Sequence, residues 1–299
     1  MLFRVTFPLA AAHFVNQAAR TVMAIVGPVL AVELGLSAVE LGTLAACMFA
    51  AYAVTQLPLG IALDAFGARR VQAGLMTLAA LGFAVFALSP GFAGLALGRV
   101  LLGVGVSAGL MAVLKGNADW FERRRVPQVI GISTAIAAVG SAVSTVPVEA
   151  LLPALGWRGV FWLLCGATLA VALWIHLSVP DKPREGPAPT LGAYVTSSAR
   201  ILASPTFWCF GPAVATISTF NFAYLGLWAG PWLRDVAGME GSARALVLFL
   251  YTLAMIAGSM LTGAIATRAE RAGLPAVLVP IAALAGVVAV QVGLIAQPR

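Results

Sequence analysis

The chain has 299 residues, of which 61% are hydrophobic and only 10% charged, with a formal net charge of +7. A water-soluble domain carries about 25% charged residues, so this composition, with a mean hydropathy of +0.98, excludes a soluble globule and predicts an all-α integral membrane protein. The basic excess does not mark a nucleic-acid binder, because the cations sit in short loops between apolar runs and share no polar surface.

A membrane span needs about 20 apolar residues. That rule predicts nine spans, at 7–32, 39–62, 71–89, 92–115, 127–151, 158–179, 205–232, 243–266 and 274–296. The first apolar stretch, after Arg4, far exceeds the roughly 7–15 residues of a cleavable signal core and is read as a span. Most breaks are short and carry turn residues, as in Leu34-Gly35-Leu36-Ser37, Ser89-Pro90-Gly91 and Pro153-Ala154-Leu155-Gly156. Two are longer. One runs from Gly116 to Val126 and holds Arg123-Arg124-Arg125; the other runs from Pro180 to Ser204, where Pro183, Pro187 and Pro189 deny a helix across 181–189. With the N-terminus inside, 12 of the 18 lysines and arginines fall on the inner side and 4 on the outer. This asymmetry predicts a cytoplasmic N-terminus and places the last residue of this chain on the periplasmic or extracellular side. Cys47, Cys165 and Cys209 all lie in apolar runs without metal-ligand spacing. They are read as small hydrophobes, and neither metal nor cofactor is expected.

The two remaining cations, Arg20 and Arg99, lie within spans. Arg20 is 13 residues beyond Phe7, about 20 Å along a helix. His13, Asn16, Gln17 and Arg20 follow the i, i+3, i+4, i+7 pattern and form one polar stripe. Lipid would not tolerate such a stripe, so it is expected to face the bundle interior. The central thirds of the spans contain no aspartate or glutamate, and Glu149 lies near an outer edge. Two deep guanidiniums in that setting favour an anionic solute, which they can grip with two parallel hydrogen bonds. In the seventh span Asn221, Tyr224 and Trp228 share a face. The candidate substrate-binding residues are therefore Asn16, Gln17, Arg20, Arg99, Asn221 and Tyr224. His13, Glu149 and His176 are the groups that could carry a coupling proton.

The chain also repeats itself. A shift of 203 residues lays Gly27-Pro28 on Gly230-Pro231, Leu30 on Leu233, Gly35 on Gly238 and Gly60 on Gly263. The same shift lays Asp64 on Thr267 and Ala65 on Arg268, so spans one and seven, and two and eight, are expected to be equivalent.

Between the second and third spans stands Gly60-Ile61-Ala62-Leu63-Asp64-Ala65-Phe66-Gly67-Ala68-Arg69-Arg70. A glycine, an acid and then Gly-x-Arg-Arg between two apolar helices resembles the loop 2–3 motif of the major facilitator superfamily, although Ala65 stands where that family usually has a base. Arg99 followed by Gly103 and Gly105, Trp120-Phe121 before an arginine-rich loop, and Gly156-Trp157-Arg158 are similar to further motifs of the family. The resemblance implies two six-helix bundles that rock about a central site. It divides this chain into a six-helix bundle at 1–179, a cytoplasmic linker at 180–204 and three helices of a second bundle at 205–299. Nine spans against the family's twelve give the expectation of a chain truncated after the ninth. The resemblance also implies a conformational switch at Gly60, Asp64, Gly67, Arg69 and Arg70. In the family the acid latches against the start of the eleventh helix and a loop arginine, here Arg69 or Arg70.

The expected activity is secondary active transport of a small solute, an anion by the charge argument, across a cell inner membrane by alternating access. The expected partners are that solute, a coupling ion such as H+ and membrane lipid, but not nucleic acid. The competing reading is a non-transporting remnant, sensor or scaffold in the membrane. An intramembrane enzyme finds no support, because the chain has no paired-acid site, no His-Glu-x-x-His and no Gly-x-Ser-x-Gly.

Overall fold

The computed structural model describes residues 1–123, 125–181, 191–223, 227–273, 278, 281–283 and 285–286. They belong to two compact units, Met1–Phe249 and Leu250–Arg299, and all architecture below concerns the first unless stated. Among the described residues the secondary structure is helical throughout. After one wide π-type turn at Leu2–Thr6 come α1 (Phe7–Glu33), α2 (Ala38–Leu88), α3 (Phe92–Gly105), α4 (Gly109–Trp120), α5 (Val126–Val143) and α6 (Val146–Ser178). They are followed by α7 (Leu191–Leu202), α8 (Pro205–Ala223), α9 (Ala229–Asp235) and α10 (Gly241–Arg271), the last of which continues into the second unit.

Among the described residues five helical stretches are long and apolar enough to cross a membrane, namely Leu2–Glu33, Ala38–Leu88, Phe92–Trp120, Val146–Ser178 and Gly241–Gly258. The predicted spans 39–62 and 71–89 both fall within α2, whose 51 residues would extend about 75 Å if straight, over twice a bilayer core. The helix is broken at Gly67, where φ is 79° and ψ 162°, a conformation open to glycine and costly for other residues. Packing on α3 shows that α2 turns back there. A Cβ on Gly103 would fall on the Met48 carbonyl, and one on Gly105 would fall on the Ala79 backbone. Met48 and Ala79 are 31 residues apart, about 46 Å along a straight helix, yet they meet positions two residues apart on α3. In α6 the break falls at Gly156, with φ 63° and ψ 173°, between the predicted fifth and sixth spans. Span 92–115 is shared by α3 and α4, and the predicted loop 180–204 contains α7. Most of the predicted span 274–296 lies outside the described residues.

Local chemistry explains the ends. The turn after α1 uses Gly35 at φ 64°. Ser37 then caps α2, its hydroxyl accepting the Glu40 N–H at 3.2 Å while the Glu40 carboxylate accepts the Ser37 N–H at 2.8 Å. Gly238, which the 203-residue shift aligns with Gly35, also takes φ 64°, so the repeat extends to backbone geometry.

Lipid offers little hydrophobic drive between helices, and close approach through small residues does the work instead. Gly98, Gly103 and Gly105 of α3 each lie where a side chain would press into α2, which accounts for the glycines that follow Arg99. At the Glu33 end of the bundle the large side chains gather. Phe86 stacks on Phe161 at 4.2 Å, Trp157 meets both edge-on, and all three are fully buried.

Candidate functional site

The polar stripe of α1 points inward as expected. His13, Asn16 and Arg20 are buried and Gln17 is half-buried. Asn16 donates to the Val106 carbonyl at 2.6 Å, and Gln56 of α2 donates to the Ser107 carbonyl at 3.3 Å. Both acceptors lie at the break between α3 and α4, where an interrupted helix leaves carbonyls that side-chain donors then satisfy. A Cβ on Gly109 would meet the Asn16 amide, so that glycine makes room for it. One turn further along α1, Thr21 donates to the Ser141 hydroxyl at 3.2 Å and Ser144 to the Ala18 carbonyl at 3.2 Å, which joins α1 to α5 and its end.

Arg20 lies within this frame, 8% exposed. Its guanidinium carbon stands 4.5 Å from the centroid of the Tyr52 ring and 5.9 Å from that of Phe49. The aromatic faces offer the cation a favourable quadrupole in place of water. Tyr52 did not figure among the expected site residues. The signal for it was present, since Tyr52 and Gln56 are four apart and put two polar tips on one face of an apolar span.

Arg99 has a different environment. It is 1% exposed and donates to two main-chain carbonyls, Leu44 of α2 from Nε and Ala19 of α1 from a terminal nitrogen, both at 3.2 Å. It therefore braces three helices and reaches α1 at the residue next to Arg20. Asn221 lies on α8, but its side chain is outside what the structure describes, and Tyr224 lies outside the described residues.

At the Phe7 end lies the loop motif. Gly67 supplies the turn. Asp64 pairs with Lys115 of α4 at 3.2 Å, and Lys115 also reaches Asp119 at 3.6 Å. Arg70, one of the two arginines that the resemblance sets against Asp64, pairs with Asp181 after α6 at 2.8 Å, while Arg69 is half-buried. Thr6 donates to Asn117 at 2.8 Å at this same end.

The Glu33 end carries its own polar contacts. The Glu33 carboxylate accepts from the Trp157 indole at 2.8 Å and from Arg158 at 2.7 Å, and the Arg158 guanidinium lies 4.1 Å from the Trp157 ring. Glu149 faces Arg244 of α10 at 3.6 Å. Arg234 of α9 donates to the Pro28 carbonyl at 3.2 Å and pairs with Asp235, holding that exposed carboxyl below its usual range through their hydrogen bond.

Comparison with known proteins adds family and fold. The sequence profile described as Major Facilitator Superfamily matches residues 9–297. A hexuronate transporter of Bacillus subtilis (strain 168) is 25% identical over 79% of this chain and 57% of its own length. The "Probable L-galactonate transporter" of Escherichia coli (strain K12) is 31% identical over 50% of this chain and 33% of its own length. Among solved structures, a bacterial homologue of the human lysosomal transporter Spinster, in an inward-facing and occupied conformation, superposes with a TM-score of 0.75 at 21% identity. That match covers 89% of this chain and 62% of the other. The chain thus spans under two thirds of the length of each of these proteins.

Proposed function

The chain belongs to the Major Facilitator Superfamily, a family of membrane transporters and not of enzymes, and from that premise we propose that it carries a small organic anion by alternating access, with Arg20 as the anion-binding group. In this reading residues 1–179 form one six-helix bundle, 180–204 the inner linker and 205–299 three helices of the second bundle, with the N-terminus cytoplasmic. The Glu33 end of α1 is then the outer end and the Phe7 end the inner one, in a cell inner membrane.

The observation that carries the proposal is Arg20 itself, a buried guanidinium on an inward-facing polar stripe, held over the Tyr52 ring. A planar guanidinium fork matches a carboxylate, and one held against an aromatic face has little side-chain freedom to lose on binding. Gln17 flanks it as a neutral partner for hydroxyl or carbonyl groups, and Asn221 and Tyr224 are proposed as further solute-binding residues. Hexuronate and galactonate, named for the two relatives above, are both carboxylate anions, which accords with this substrate class. Arg99, engaged with carbonyls of α1 and α2, serves the site by holding those helices.

The test is uptake of labelled hexuronate or hexonate into proteoliposomes. Arg20→Ala is expected to cut uptake at subsaturating solute at least tenfold, the effect of losing hydrogen bonds to a charged group worth about 1.5–3 kcal/mol. Arg20→Lys is expected to restore only a small part, because an ammonium lacks the fork. Uptake equal to that of empty liposomes in the parent protein would favour the sensor or scaffold reading. Normal uptake by Arg20→Ala would remove Arg20 from the site.

A further inference from the structure

Of the ion pairs between described residues, Glu149–Arg244 alone joins the part of the chain before residue 182 to the part after 204. Close contacts join the same two parts of the chain. A Cβ on Gly230 would fall on the Ala24 carbonyl, Leu227 is 1% exposed and faces Gly27, and Trp228 lies against Gly42. The Arg234 bond to the Pro28 carbonyl completes the seam. At the pair, the Arg244 side chain is only 7% exposed and that of Glu149 21%. Gly241, the first residue of α10, stands where a Cβ would meet the Glu149 carboxylate. That carboxylate therefore faces both a guanidinium and the positive end of a helix.

We propose that Glu149 and Arg244 are the latch that closes the Glu33 end of the transport path, and that this pair must part each time that end opens. The inference rests on the alternating-access reading above. Apart from the Arg234 bond, which ends on a neutral carbonyl, the described contacts of the seam are glycine and apolar ones that close well but carry no charge. The pair supplies the charge-to-charge contact of the closure. Its 3.6 Å separation and partial exposure suit a contact that forms and breaks, since both groups regain full hydration on parting. Removing one partner leaves the other charged and largely desolvated, which penalises the closed state and not the open one.

The experiment uses the full chain in right-side-out membrane vesicles, with Cys47, Cys165 and Cys209 replaced by serine and a reporter placed by Leu227→Cys within the seam. A membrane-impermeant maleimide added outside reads how often the seam opens, and needs no solute. Glu149→Gln and Arg244→Gln are each expected to speed labelling by roughly tenfold or more. The double variant is expected to label no faster than the faster single one, because the two changes remove one interaction. Unchanged labelling in both single variants would overturn the latch. So would effects that multiply in the double variant, the mark of general loosening. Anion uptake is scored separately, so loss of transport with intact coupling refutes the proposed solute and leaves the latch standing.

Discussion

At the Phe7 end, charge meets charge in water. Arg70 and Asp181 are 67% and 36% exposed, and Lys115 and Asp64 36% and 38%. All of these residues precede position 182. At the Glu33 end the Glu33–Arg158 pair is just as open, at 45% and 42%, but the other contacts between elements are less exposed and reach further along the chain. Trp157 is 1% exposed with its indole on Glu33, and Arg244 and Arg234 reach back to Glu149 and Pro28. The same kind of interaction is thus used in two ways. Solvated pairs at one end are worth about 0–1 kcal/mol each and adjust a loop. Partly desolvated contacts at the other, backed by aromatic packing, hold elements distant in sequence together.

Trp157→Ala should break this comparison most severely. It removes a buried ring packed on Phe86 and Phe161 and strips Glu33 of its indole donor, so a loss of about 3–5 kcal/mol is expected, read as a thermal melt in detergent. Gly67→Ala should come next, at about 1–2 kcal/mol, because φ 79° forces an L-residue into the left-handed region. Its effect should fall on the Phe7 end, where protease cleavage after Arg69 and Arg70 would report local loosening. Lys115→Ala should lower stability by no more than about 1 kcal/mol, and raising salt to about 1 M should erase most of the difference from the parent, as screening requires. A Lys115→Ala melt lowered as far as that of Trp157→Ala would show the two ends to be alike and would sink the comparison.

The sequence was most informative where a physical rule acts on neighbouring residues. Spacing along α1 was enough to turn His13, Asn16, Gln17 and Arg20 inward, because a polar stripe must avoid lipid wherever the helix sits. Gly67 was legible from its motif and Gly238 from the repeat, because a reversed turn needs glycine regardless of what packs on it. The glycines after Arg99 stood out as part of a family motif, and the structure shows them to be points of close approach.

The partners were not legible in the same way. The family resemblance implies Arg69 or Arg70 as the loop partner of Asp64, and the structure also brings Lys115, 51 positions further on, to 3.2 Å from it. Arg99 is a candidate solute-binding residue by sequence, and the bundle gives its guanidinium the carbonyls of Leu44 and Ala19. Tyr52 became part of the Arg20 setting, and Glu149 found Arg244, only when α2 and α10 were brought against their neighbours. By itself the sequence determined that this chain is a bundle of membrane helices with two arginines inside its apolar runs and a glycine-turned loop. Tertiary structure decided what each charge touches. Helical periodicity records which face must avoid lipid, but it carries no term for the helix that arrives opposite.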